Sequence, residues 1–157
     1  PTLSLAPMAE QNERNFQFRL RSSHRAPEYQ TSNLVVEFLA DGGLWEPQQL
    51  SIIMPGFRLY LISLLLCQHF YLVANANERQ IPLQQVDADF EVTTSSDWIV
   101  SSVVGDFRIR IEQLAPGDSA QPSTDSIAFL EERMKLCPIS RNLPDSVIKN
   151  IHLSALA

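Results

Sequence analysis

The stretch FRLYLISLLLCQHFYLVA, residues 57–74, decides the fold of this chain. Only four residues interrupt its apolar character: Arg58, Ser63, Gln68 and His69. A helix that is apolar nearly all the way round is typical of a protein core. A membrane span is the rival interpretation, because the length nearly suffices, but the polar and charged residues inside the stretch disfavour it. The stretch therefore predicts a long buried helix, with Pro55 in its first turn.

Alternating sequences on both sides of this helix predict strands. Phe16, Phe18 and Leu20 alternate with polar residues, which is the two-residue period of a half-buried strand. Further strands are predicted at residues 33–39, 86–94, 99–114 and 148–156. Residues 1–14 end in a polar cluster, and we expect them to be loosely ordered.

A second helix is predicted to begin at Ser123 or Thr124, both good N-cap residues. Its apolar residues recur at i, i+3, i+7 and i+10 and so form one stripe: Ile127, Leu130, Met134 and Cys137. Pro138 ends it, because the residue before a proline is pushed out of the helical region. Strands, a long helix, two strands, a second helix and a last strand predict an α+β fold. We expect one domain over residues 1–157.

The composition excludes several classes of function. The net charge is −6, with 12 Lys and Arg against 18 Asp and Glu, so the chain has no basic face for nucleic acid. Two cysteines are too few for a disulfide framework, and they lack the spacing of a zinc site. No apolar leader with a cleavage site opens the sequence. We therefore expect a cytoplasmic protein without metal, nucleic acid or membrane partners.

Cys67 and Cys137 lie on the inner faces of the two predicted helices, where they could meet. For each thiol alone, the alternative is a small apolar filler of the core. Cys137 is predicted to end a helix, where the negative end of the dipole disfavours a thiolate, so it is the poorer nucleophile. Cys67 needs a nearby cation or hydrogen-bond donor to hold a thiolate.

The neighbours of Cys67 in sequence do not supply that cation. His69 is two residues away and therefore points to another face, and Arg58 falls on the opposite side of the helix. The remaining arginines lie on the polar faces of strands, where they are either solvated or reach into the site from the same or a partner subunit: Arg19, Arg21, Arg108 and Arg110. His24 and His152 have no cysteine or carboxylate pattern around them and are interpreted as structural or exposed.

The segment MKLCPISRNL, residues 134–143, resembles the C-terminal signature of the OsmC/Ohr family, Cys-Pro-(Val/Ile)-Ser followed by a polar residue or two and Leu. The first family cysteine stands in an apolar helix about seventy residues earlier, and here the interval is 137 − 67 = 70. A hydrophobic-Pro-Leu turn at residues 81–83 and a strand then follow in the family order. The resemblance covers residues 55–156 well and the earlier part weakly.

The resemblance implies an α+β fold with antiparallel sheets around a long central helix, in an intertwined bacterial homodimer. It implies that Cys67 is the peroxidatic residue and Cys137 the resolving one, with an organic hydroperoxide as substrate. An external dithiol or lipoyl-type reductant would reset the pair, and no cofactor would be needed. The function implied is defence against oxidative stress.

One part of the family pattern is missing. Active members carry a Pro-Glu segment about ten residues before the first cysteine, whose Glu pairs with the arginine that holds the thiolate. Neither residues 47–50 (PQQL) nor the segment after Pro55 preserves that acid, and Glu46 is the candidate substitute. Two alternatives therefore stay open, a family member that binds a small apolar ligand without turnover and a purely structural role for both thiols.

Overall fold

The computed structural model describes residues 13–157. The expectation of a loosely ordered segment at residues 1–14 therefore lies almost wholly outside the described residues, and Arg14 already begins the first strand. The strands are β1 (Arg14–His24), β2 (Thr31–Leu39), β3 (Trp45–Pro47), β4 (Leu83–Thr94), β5 (Val100–Ile111) and β6 (Ile148–Ala155). The helices are α1 (Gly56–Glu78), α2 (Thr124–Met134) and α3 (Pro138–Arg141).

The six strands form one sheet in the order β3-β2-β1-β4-β5-β6. Its pairs are antiparallel except for β5 with β6, which run parallel. The sheet is therefore mixed, whereas the sequence predicted antiparallel sheets. Parallel neighbours cannot be joined by a hairpin, so the chain between β5 and β6 makes a long connection through α2 and α3.

The two-residue period of β1 sets the two faces of the sheet. Phe18, Leu20 and Ser22 are buried, whereas Arg19 and Arg21 project from the other face. The buried residues of β4 and β5 continue the inner face, including Val86, Ala88, Phe90, Val103, Phe107 and Ile109. The core thus lies on one face of the sheet and the charged side chains on the other, as the alternation predicted.

Helix α1 lies in the core as the sequence predicted, although part of its surface is exposed in the single chain. Leu61, Leu65 and Leu72 are fully buried, yet Phe70 is 67% exposed, and Leu59 and Tyr60, about three turns earlier, are also exposed. Of the described helices, α1 is the one long and apolar enough to cross a membrane by length and composition. The sequence alone could not show the exposed side, because apolar residues occupy every face of the helix.

Helix α2 begins as predicted, at Ser123, whose Oγ accepts a hydrogen bond from the backbone N–H of Ser126 at 3.1 Å. It ends earlier than predicted, at Met134 rather than at Cys137. Pro138 does not end helical structure here, because a second short helix begins at this residue. It occupies the first turn of α3, where its missing N–H has no helical partner to lose.

Candidate active site

Cys67 lies in the middle of α1, half buried, and packs against the edge of the core. One turn farther along α1 stands Phe70, on the exposed apolar side of the helix. Cys67 is therefore at the border between that exposed side and the side that packs on α2 and α3. The residue as a whole is partly exposed to solvent.

Cys137 is fully buried, at 0% exposure, and immediately precedes α3 as its N-cap residue. The sequence predicted a helix C-terminus here, with a dipole that disfavours a thiolate. That prediction is wrong, because α2 has ended three residues earlier and Cys137 stands at the positive end of the next helix. The backbone N–H groups of Ser140 and Ile139 face its sulfur, although neither makes a hydrogen bond of ordinary geometry.

Burial outweighs these amides and raises the pKa of the Cys137 thiol to about 11. Interaction with the side chain of Cys67 raises the pKa further, and the backbone N–H groups of Ser140 and Ile139 oppose the shift. At neutral pH Cys137 is therefore a thiol. A thiol, unlike a thiolate, is a poor nucleophile.

The two thiols are neighbours in space, since the side chain of Cys67 acts directly on that of Cys137. Both are free, with no disulfide between them. The connection through α2 and α3 delivers Cys137 to the side of α1, 70 residues away in sequence. The structure thus brings together the two residues that the sequence singled out.

Arg19 and Arg21 lie on the outer face of the sheet, opposite the face that covers α1. Arg19 Nε binds Glu37 Oε1 at 2.8 Å, and its guanidinium stacks 4.4 Å from the centre of the Trp45 ring. Arg21 Nε lies 3.2 Å from Asp87 Oδ1. Within one chain the sheet separates both arginines from Cys67, so their predicted role in holding a thiolate needs a second chain.

Arg108 and Arg110, on β5, are also on the outer face of the sheet. Arg108 contacts Asp89 at 3.0 Å and Asp106 at 3.1 Å. Arg110 donates to the Gln85 amide oxygen at 3.0 Å. Both are engaged in polar contacts away from Cys67, which is the solvated arrangement that the sequence offered as one alternative.

Glu46 lies on the short edge strand β3, exposed and opposite Phe38 in the sheet. It shares an open cavity of about 470 Å³ with Arg58 and Arg14, and the Arg58 guanidinium stacks 4.4 Å from the Phe38 ring. Arg58 therefore faces away from Cys67, as its position on the helix predicted. Glu46 is grouped with Arg58 rather than with either cysteine.

A buried polar cluster, which we call the Ser22 cluster, lies on another side of α1. It consists of Ser22, His24 and His69, each at most 4% exposed. Ser22 Oγ is 2.8 Å from His69 Nε2 and 2.9 Å from His24 Nε2. His69 thus points to another face than Cys67, as its i, i+2 spacing predicted. The period of β1 could have placed Ser22 and His24 in the core, since both continue the inward series of Phe18 and Leu20.

Burial keeps the imidazoles of this cluster neutral. It lowers the pKa of His69 to about 4, with a smaller contribution from His24, and it also lowers the pKa of His24. His152, the third histidine, is exposed, and its Nδ1 lies 3.4 Å from Glu131 Oε2. The sequence did not reveal this carboxylate, because it belongs to α2, 21 positions earlier.

Among residues 13–157, no group of three or more His, Cys, Asp and Glu side chains is arranged to hold a metal ion. The neighbouring pair of free cysteines and the central helix that carries one of them define the candidate site. The class of protein is therefore an α+β domain with a two-thiol centre at its core helix.

Comparisons with known proteins identify the fold more narrowly. No family model matches the chain, and no curated protein matches it. A solved structure named as an osmotic stress induced and detoxification response protein, from Psychrobacter arcticus 273-4, superposes with a TM-score of 0.52 at 12% identity. The match covers 76% of this chain and 86% of that one.

Two further structures superpose with lower TM-scores. An OsmC-like hydroperoxide resistance protein from Jannaschia sp. CCS1 gives a TM-score of 0.47 at 14% identity, over 82% of this chain and 86% of that one. An OsmC-like protein of unknown function from Vibrio cholerae gives 0.43 at 11% identity, over 88% and 96%. The chain shares its fold with the Psychrobacter arcticus structure, and its strands and helices confirm the predicted α+β class.

Proposed function

We propose that this protein is a thiol-dependent hydroperoxide reductase that works through Cys67 and Cys137 in defence against oxidative stress. The observation that carries the proposal is the pair of neighbouring free thiols, one half buried and one fully buried, on an OsmC-like fold. The names of the similar proteins, which refer to osmotic stress, detoxification and hydroperoxide resistance, agree with it.

The reaction needs two steps at the cysteines. The Cys67 thiolate attacks the terminal oxygen of a hydroperoxide, the O–O bond breaks, and the leaving alkoxide takes up a proton to become an alcohol. Cys67 is then a sulfenic acid. The Cys137 thiol displaces its hydroxyl group, which leaves as water, and a Cys67–Cys137 disulfide forms. An external dithiol or lipoyl-type reductant returns both thiols and is itself oxidised to a disulfide.

The division of roles follows from access and protonation. Cys67 has access to solvent, whereas Cys137 has none and remains protonated at neutral pH. A peroxide arriving from solution meets Cys67 first, and a buried thiol beside it is placed to resolve the sulfenic acid. The apolar core against which Cys67 packs favours an organic peroxide over hydrogen peroxide.

A homodimer is part of this proposal. Helix α1 exposes Leu59, Tyr60 and Phe70 to solvent, and exposed large apolar side chains of this kind are typical of an interface. A second copy packed on these residues would shield the site from water. It is also the route by which Arg19, Arg21 or Glu46 of a partner could approach Cys67. We place the dimer in the reducing cytoplasm, where both thiols stay free.

The test is oxidation of the reduced protein with one equivalent of cumene hydroperoxide, followed by peptide mapping. We expect a Cys67–Cys137 disulfide within one chain, and a sulfenic acid at Cys67 that dimedone traps in the Cys137→Ser variant. Hydrogen peroxide at the same concentration serves as the comparison oxidant and should react more slowly. Two thiols that stay free after treatment with the organic peroxide would refute the proposal.

One observation favours a second candidate, an OsmC-like protein that binds an apolar ligand without turnover. The four arginines Arg19, Arg21, Arg108 and Arg110 are engaged on the outer face of the sheet, and the acid of the family's Pro-Glu segment is missing. This candidate predicts no consumption of peroxide with dithiothreitol or dihydrolipoamide as reductant. Multiple-turnover assays with both reductants therefore separate the two candidates.

A further inference from the structure

A groove runs along the side of α1 that faces β2, separate from the cysteine pair. Its volume is about 610 Å³, within the range that holds drug-sized ligands. The walls are mainly apolar and include Leu34, Leu66, Phe70 and Val73, and no Asp, Glu, Lys or Arg lines it. The groove therefore offers an apolar, uncharged environment.

His69 is the polar group set deepest in this groove. Its side chain is 96% buried, and Nε2 is bound to Ser22 Oγ at 2.8 Å. The other ring nitrogen, Nδ1, has no hydrogen-bond partner among the described residues. It is also not among their fully buried polar atoms without a partner, so it reaches the open space of the groove.

The hydrogen bonds of the Ser22 cluster fix what His69 Nδ1 can do. His24 Nδ1 lies 3.2 Å from the backbone carbonyl of Tyr29, so it carries the proton and donates. His24 Nε2 must then accept from the Ser22 hydroxyl. The Ser22 oxygen in turn accepts from His69 Nε2–H. His69 Nδ1 is therefore the unprotonated ring nitrogen, and its lone pair faces the groove as a hydrogen-bond acceptor.

We propose that this groove binds an apolar alcohol or phenol whose hydroxyl group donates a hydrogen bond to His69 Nδ1. The apolar walls hold the hydrocarbon part and the lone pair selects a donor. A carboxylate finds no cation and no donor at this nitrogen, and burial keeps the imidazole neutral at pH 7. An ether of the same shape makes the same apolar contacts with the groove but has no hydroxyl proton to donate to His69 Nδ1.

This site stands independently of the proposed peroxide chemistry, because Cys67 does not line the groove. Phe70 and Leu66 belong both to the groove and to the exposed side of α1. A second copy on that side would therefore close the mouth of the groove and leave His69 at its floor. The oligomeric state is measured alongside binding for this reason.

The probes are 4-ethylphenol, its methyl ether 4-ethylanisole, and 4-ethylbenzoate, titrated at pH 7 into reduced, ¹⁵N-labelled protein. We expect the phenol to bind about five-fold more tightly than the ether, which is the worth of one ordinary hydrogen bond, and the benzoate more weakly still. Long-range ¹H–¹⁵N spectra should show His69 as the Nε2–H tautomer, with the phenol shifting its Nδ1 signal. Equal affinity for phenol and ether, or an Nδ1–H tautomer, would overturn the proposal.

Three variants locate the site without disturbing the core. Ala74→Phe fills the groove from an exposed position of α1 and should abolish binding, whereas Glu78→Ala, exposed on the next turn and outside the groove, should not change it. Cys67→Ser should bind the phenol like the parent chain, so a failure of the peroxidase proposal leaves this test intact. Undiminished binding in Ala74→Phe would place the ligand elsewhere and refute this site.

Discussion

On each of two sides of α1, an ionisable side chain is buried in the core. On one side a thiol is buried against α3, and on the other an imidazole is buried against β1. Burial favours the neutral form at both, so it raises the pKa of Cys137 and lowers that of His69. The local hydrogen-bond donors at Cys137 oppose the shift and do not overcome it. In this core, burial is the larger electrostatic effect.

The largest predicted effect is the loss of peroxide turnover when the cysteine side of α1 is changed. We expect Cys67→Ser to reduce peroxide turnover by at least about 10³-fold, because removal of a nucleophile leaves no alternative route. The Cys137→Ser variant is the matched control. It should still consume about one equivalent of cumene hydroperoxide per chain and then stop, which a stopped-flow assay with thiol quantitation measures. Equal turnover in the parent chain and in Cys67→Ser would remove the distinction between the two thiols.

The histidine side predicts a pH dependence of stability. The pKa of His69 is about 4 in the folded chain against about 6.5 when unfolded, so the unfolded chain binds the proton more readily. The contribution of His69 is complete above pH 6.5 and is lost as the pH falls from 6.5 to 4. It amounts to about 3 kcal/mol at about 1.4 kcal/mol per pKa unit.

Urea unfolding at pH 7, 5.5 and 4 measures this loss. The His69→Gln variant is expected to be less stable at pH 7 and to lose less stability over the same interval. Parallel curves for the parent chain and the variant would show that His69 is not the group responsible.

A smaller effect is expected at the centre of the Ser22 cluster. Ser22→Ala leaves both His24 Nε2 and His69 Nε2 without their partner in the core, which costs about 1–3 kcal/mol of unfolding free energy. Ser23→Ala, the next residue on the opposite face, is the control and should change it by about 0.5 kcal/mol or less. If the two variants have the same stability by chemical denaturation, the cluster contributes nothing beyond its volume.

The smallest effect is expected at the outer face. Arg19→Ala removes a solvent-screened ion pair with Glu37, so we expect little or no change in the urea midpoint of unfolding. The peroxidase rate of the same variant tests the predicted role of Arg19. A rate that falls tenfold at unchanged stability supports a contribution from the outer face of a partner subunit, and an unchanged rate excludes Arg19 from the site.

The two sides also differ in how far the sequence could predict them. Cys67 lies in a helix that is apolar nearly all round, Cys137 ends an apolar stripe, and the Cys-Pro-Ile-Ser segment marks Cys137, so their meeting could be predicted. The helix break before Cys137 could not, because a proline can end one helix or begin the next. The Ser22 cluster was missed because His69, on a helix, is 45 and 47 residues from the two strand members His24 and Ser22, and no local motif joins them. The parallel pairing of β6 could not be predicted either, because the alternation of apolar and polar residues indicates a strand but not its direction relative to its neighbour.

The parallel pairing of β5 with β6 makes the position of Cys137 depend on the long connection between these strands. Residues 112–147, the connection between these strands, carry Cys137 and hold it against α1 only while α2 and α3 are docked. Loosening this connection would separate the thiols while the sheet remains intact. The ability to form the disulfide is therefore a more sensitive measure of the docked connection than secondary structure is.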